Sequence, residues 1–255
     1  MNHLIDYILH LSDNTLILAQ RNSEWCGHGP ILEQDIAITN ISLDLIGQSR
    51  NFYQYAASLI NQLPGNTTTE TEDTLAYLRK EREFKNCLLT EQPNGDWAQT
   101  ILRQFLFSNY QYLLYSQLQK SKDEQLAAIA AKALKEVTYH LRWSSEWVTR
   151  LGDGTEESHQ RMLRAVETCW PYTGELFTNT GYEEGCIAEG IAVDNISLKE
   201  PWLNKVKEVF DEALLPVPEK LFMQAGGKEG KHSEHMGYIL AELQYLQRTY
   251  PNSEW

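Results

Sequence analysis

Apolar residues return at three- and four-residue intervals along almost the whole chain, and no stretch alternates with period two for long enough to make a strand. The pattern predicts an all-α protein. A first helix spans residues 4–21 and breaks at Cys26-Gly27-His28-Gly29-Pro30, where paired glycines and a proline interrupt the ladder. A second runs from 31 to about 63, where Pro64-Gly65 stops it and Asn66-Thr67-Thr68-Thr69 supplies a polar linker. A third opens near Glu72 with Leu75, Tyr77, Leu78, Phe84 and Leu88 on its apolar stripe. It ends before Gln92-Pro93-Asn94-Gly95-Asp96, which proline and Asn-Gly make irregular. Asp96 is the predicted N-cap of a helix over 97–119, and Ser121 or Asp123 caps the next, which reaches Leu151 before Gly152-Asp153-Gly154. Then follow a helix over 157–177, a Gly-rich loop to Asp194, a helix over 197–215 and a Pro/Gly loop to Gly230. A final amphipathic helix, 233–248, places Met236, Ile239, Leu240, Leu243 and Leu246 on one side.

With 255 residues, 42% of them hydrophobic, and no shift of composition along the chain, the expectation is one domain over 1–255. No apolar run approaches the ~20 residues of a membrane span. The opening residues show no basic region followed by an apolar stretch, so a cytoplasmic protein is expected. Cys26, Cys87, Cys169 and Cys186 form no CxxC pair, which argues for four free thiols over a zinc, iron–sulfur or dithiol centre. A net charge of -13 without a basic stripe excludes nucleic acid as an expected partner.

Long helices with carboxylates on their apolar faces match one chemical template. In ferritin-like di-iron bundles two helices each give a carboxylate and two give Glu-x-x-His, residues three apart sharing a face. With the helices starting at 31, 72, 97 and 124 as the bundle, Asp44 is the first carboxylate, among Ala37, Ile41 and Gln48. Glu81 follows, but its i+3 residue is Phe84, which has no donor atom. Asn109 puts an amide where an acid is required, and Glu136 has Tyr139 at i+3, with His140 one residue further on. Three of the six positions have lost their donors. The expectation is a ferritin-like four-helix bundle, with additional N- and C-terminal helices, whose di-iron site is degenerate and which binds no metal. Periodicity off by one residue would produce the same carboxylates without any site. The topology is met if the third helix ends near Lys85 and residues 86–96 run extended, about 3.3 Å each, to cross the length of the bundle.

Other motifs yield to simpler readings. His232-Ser233-Glu234-His235 is a pair of imidazoles near a helix start without an evident third donor, so capping and surface contact are expected. Gly226-Gly227-Lys228-Glu229-Gly230 lacks the ending of a phosphate loop and is expected to be a flexible turn. Trp143 and Trp147 are read as core packing.

Four segments carry a more specific signal: RNSEWCGHGPILEQDIAITNISLDLIGQSRNF at 21–52, EQPNGDWAQTILRQ at 91–104, KEVTYHLRWSSEWVTRLGDGT at 135–155, and GGKEGKHSEHMGYILAELQYLQRTYP at 226–251. Together they resemble the C-subunit family of ring-1,2-phenylacetyl-CoA epoxidases of bacterial phenylacetate catabolism. The resemblance implies a structural, non-catalytic subunit that pairs with a di-iron catalytic A subunit as two of each. A small B subunit and a flavin/iron–sulfur reductase would complete a monooxygenase using oxygen and NADPH. It also implies an acid where Asn109 stands. Two other functions stay open from the residues alone: an independent oxidase using Asp44, Glu81, Glu136 and His140, and a metal-free module that binds a protein or a coenzyme A thioester.

Overall fold

The helical periodicity resolves, among the described residues, into eleven α-helices and no strand. The computed structural model describes residues 2–219, 221–251 and 253, and the chain divides into two compact units, residues 1–91 with 226–255 and residues 92–225.

In the first unit α1 (Asn2–Ser23) packs along α2 (Leu32–Asn61). α1 is buried on nearly every side from Ile5 to Ala19, polar residues included, so it is a central helix and no preliminary one. The long helix expected from Glu72 is absent. In its place stand α3 (Glu72–Tyr77), a 3₁₀ turn at Glu81–Glu83 and α4 (Leu88–Glu91). Its sequence favours helix, but side chains of α1 capture its backbone. Asp13 accepts from the Lys85 N–H (2.7 Å), Asn14 from the Cys87 N–H (2.7 Å), and His10 Nδ1 lies 2.7 Å from the Lys85 carbonyl. Those groups are taken from any helical ladder, an example of tertiary contacts overriding propensity.

The second unit opens with α5 (Trp97–Leu118), capped by Asp96 through the Gln99 N–H (3.1 Å), and α6 (Glu124–Gly152), capped by Asp123 through the Leu126 N–H (2.8 Å). These two form the main helix pair. α7 (Glu156–Cys169) stops short of the predicted 177, because Pro171 has no N–H to continue it and the chain tightens into 3₁₀ turns. Within the predicted Gly-rich loop lies α8 (Gly181–Ala188), whose Glu183 closes a capping box with Thr180. α9 (Lys199–Glu212) packs on α5 and α6.

The chain then returns to the first unit. The predicted last helix is two, α10 (Glu234–Leu243) and α11 (Tyr245–Thr249), divided at Gln244, whose amide donates to the carbonyls of Ala76 (3.3 Å) and Arg79 (3.0 Å). Among the described residues no helix is long and apolar enough to cross a membrane.

Candidate functional site

Two buried carboxylates dominate the first unit, and both are fully engaged. Asp13 on α1 receives the Tyr53 hydroxyl from α2, the Arg79 guanidinium and the Lys85 N–H. The Arg79 guanidinium also lies 4.2 Å from the centroid of the Phe84 ring. Burial pushes the Tyr53 phenol well up, and the Asp13 charge adds to the rise while Arg79 opposes it, so this hydroxyl stays a donor.

Glu91, at the end of α4, accepts from the Asn86 amide (3.0 Å) and the Ser233 N–H (2.6 Å), and His232 Nδ1 lies 2.8 Å from its Oε2. The other ring nitrogen of His232 faces the Phe84 carbonyl at 3.0 Å. A carbonyl only accepts, so the ring nitrogen facing Phe84 donates, and the carboxyl beside the other nitrogen favours the charged form of the ring. Burial disfavours that charge, but the hydrogen bond and charge of Glu91 and the Phe84 carbonyl outweigh it, and the His232 pKa is raised. This clasp fastens the C-terminal segment to residues 84–91. Ser233 caps α10 as expected through the His235 N–H (3.4 Å), whereas the His232 side chain is buried and makes no surface contact.

The positions expected to carry degenerate ligands are distributed differently from the template. Asp44 is half-buried on α2, and Glu81 is exposed on a 3₁₀ turn. Phe84 is buried beneath Arg79 and belongs to no helix. In the second unit Asn109 is buried on α5, and its amide donates to the Trp202 carbonyl of α9 (3.0 Å), while the Trp202 indole returns a bond to the Leu106 carbonyl (2.9 Å). Glu136 is half-buried on α6, Tyr139 is exposed and the adjacent His140 is buried. The Tyr115 phenol is pushed up chiefly by burial, with the Glu136 charge adding and the Gln111 hydrogen bond opposing. Among the described residues no three His, Cys, Asp or Glu side chains gather closely enough to hold a metal ion.

Sequence reasoning missed Asp13, Arg79 and Glu91. Asp13 gave a weak signal because α1, buried all round, has no single inward face against which a polar residue stands out, and Arg79 and Glu91 lie in short segments whose partners are distant in sequence. It missed Glu183 as well, which is buried and accepts from Asn195 (2.8 Å), itself the acceptor of the Tyr110 hydroxyl (2.8 Å). The tryptophans behave as packing: Trp97 meets Trp143 and Trp147 edge-on at 6.2 and 6.4 Å. All four cysteines are free, Cys26 exposed and the rest buried, and burial pushes the Cys169 thiol up to about 12.

With this geometry in place, two comparisons bear on its meaning. A sequence model of the family described as Phenylacetic acid catabolic protein matches residues 1–255. The chain is also 49% identical, over 255 residues that cover 100% of both proteins, to the C subunit of the 1,2-phenylacetyl-CoA epoxidase of Escherichia coli (strain K12).

Proposed function

The chain belongs to the Phenylacetic acid catabolic protein family, whose fold is ferritin-like, and from that premise we propose that it is the non-catalytic subunit of a multicomponent phenylacetyl-CoA epoxidase. In this reading one ferritin-like domain spans the chain. It acts in the cytoplasm and supports a di-iron catalytic A subunit in a complex of two copies of each. A small B subunit and an NADPH-dependent reductase complete the assembly. The full-length likeness to a protein named as a lettered subunit supports membership of such a complex.

One observation supports the non-catalytic role above others: the buried carboxylates Asp13 and Glu91 and the buried amide of Asn109 are committed to the chain's own residues. Arg79 supplies the positive charge beside Asp13, and His232 lies against Glu91 with its pKa raised by that carboxylate. The Asn109 amide is spent on a backbone carbonyl, and Phe84 has no donor atom. A di-iron pair needs several anionic oxygens and imidazoles converging with open coordination positions. These residues do not fit that group, and no step of ring epoxidation is assigned to them.

Metal analysis tests the reading. The purified chain, incubated with ferrous iron under argon and desalted, is expected to retain far less than one iron per chain. Two tightly held irons per chain, lost in Glu136→Ala or His140→Ala, would sink it. Epoxidation is expected only when the catalytic subunit is present.

A further inference from the structure

One face of α2 carries a repeat that the chain leaves uncovered. Leu32, Ile36, Thr39, Leu43 and Ile46 follow one another at intervals of four, three, four and three, the spacing of a coiled-coil seam. The four aliphatic members are exposed, Leu32 by 72%, Ile36 by 51%, Leu43 by 60% and Ile46 by 43%. On the opposite side of the same helix Ile38, Ile41, Leu45 and Phe52 are fully buried. α2 is therefore apolar on two faces, and only one of them is used within this chain. The seam is about 21 Å long at 1.5 Å per residue. Exposed singly, such side chains mean little, but in register they form the kind of contiguous patch that marks an interaction site. A Cβ added at Gly47, beside the seam, would meet nothing within 4 Å, so a neighbouring backbone has room to come close.

Charge decides what covers it. Glu33 and Asp35 take the two positions that flank the first turn of the seam, Asp35 also accepting from the Gly29 N–H at 2.9 Å, and residues 31–49 contain no Lys or Arg. The next basic residue along the chain, Arg50, is bonded to Glu72 at 3.2 Å. Flanking charges set partner choice and orientation in helix pairing, so a second copy of this α2 would bring no base to meet those acids. We infer that the α2 face from Leu32 to Gly47 is the docking seam for a helix of a different subunit, one with a matching apolar heptad face and Lys or Arg on its flank. This rests on the reading of the chain as a subunit and adds the surface through which it assembles; the occupant is the catalytic subunit.

The test uses the full-length chain and the catalytic subunit of the same complex, with titration calorimetry for affinity and light scattering for mass. Leu43→Glu and Ile36→Glu each place a charge on the seam at a site that is already exposed, so circular dichroism and Tm should match the unmodified chain. Each is expected to weaken binding roughly 30-fold or more, as a central interface residue does. Glu33→Lys should weaken it less and remove part of its salt dependence, while Ile196→Glu, equally exposed elsewhere, should leave it unchanged. If the unmodified chain binds and Leu43→Glu binds equally well, the seam is wrong and the subunit reading stands. If the unmodified chain does not bind at all, both fall. A stable dimer of this chain alone, broken by Leu43→Glu, would give the seam to a second copy and overturn the assignment.

Discussion

An amide at position 109 supplies a hydrogen bond that no carboxylate can. Asn109 donates to the Trp202 carbonyl from a buried site, so an acid there would set two acceptors against each other in low dielectric. Asn109→Asp is therefore expected to cost at least ~2 kcal/mol of stability by urea denaturation at neutral pH, because a buried partner is left unsatisfied and a charge is buried with it. Part of that loss should be recovered at acidic pH, where the new carboxyl is protonated and donates. A variant as stable as the original would mean that the amide is incidental.

His232 gives a second residue-scale expectation. Its folded pKa is raised above the unfolded value of about 6.5, so the stability it contributes is fully present below that pH and is lost as pH rises through the folded value. Between pH 6 and pH 9 the Tm of the unmodified chain should fall more steeply than that of His232→Gln, with other titrations common to both. The variant itself leaves Glu91 buried beside one fewer donor, which costs on the order of 3–5 kcal/mol when the partner of a buried pair is removed. Parallel pH profiles for the two proteins would show that folding does not raise the His232 pKa.

At the scale of elements, the segment from Glu72 to Glu91 shows where local propensity gives way. Its sequence is rich in Leu, Lys, Glu and Arg, yet three short turns replace one long helix because Asp13, Asn14 and His10 bind its backbone. Arg79 is the cation that makes Asp13 tolerable in the interior. Arg79→Met is expected to destabilise the protein by about 3–5 kcal/mol, as breaking one side of a buried ion pair does. Adding Asp13→Asn should restore part of that loss, because the neutral amide no longer needs the cation. Additive losses in the double variant would show that the two side chains act independently.

The same segment marks the boundary of what the sequence discloses. The all-α class, the helix breaks at 26–30 and 92–96 and the caps Asp96 and Ser233 were legible, since each depends on residues close in sequence. The division of α10 from α11 was not, because Gln244 finds its acceptors more than 160 residues away. Nor was the status of α1, since periodicity identifies a helix with one wet face and α1 has almost none. Placing Glu81 and Phe84 on a bundle helix followed from that omission: the long helices are α1, α2, α5 and α6, and residues 72–91 are connection. That Phe84 offers no donor atom could be read from residue identity alone, whereas the partners that stand beside Asp13 and Glu91 could not.

For the whole molecule, charge and exposed apolar surface jointly constrain assembly. A net charge of -13 opposes close approach of two copies of the chain, while the α2 seam favours association with a partner of opposite charge. A partner flanked by Lys and Arg satisfies both, and it makes the encounter electrostatic. Steering of this kind raises the association rate, is screened over ~8–10 Å at physiological ionic strength, and leaves dissociation to the packed apolar contact. The complex with the catalytic subunit is thus expected to form roughly tenfold or more slowly at 500 mM than at 50 mM NaCl, with the dissociation rate nearly unchanged. Surface plasmon resonance across a salt series separates the two rates. A dissociation rate that climbs with salt while association stays constant would mean that ion pairs hold the interface closed, and the apolar repeat on α2 would then contribute little to it.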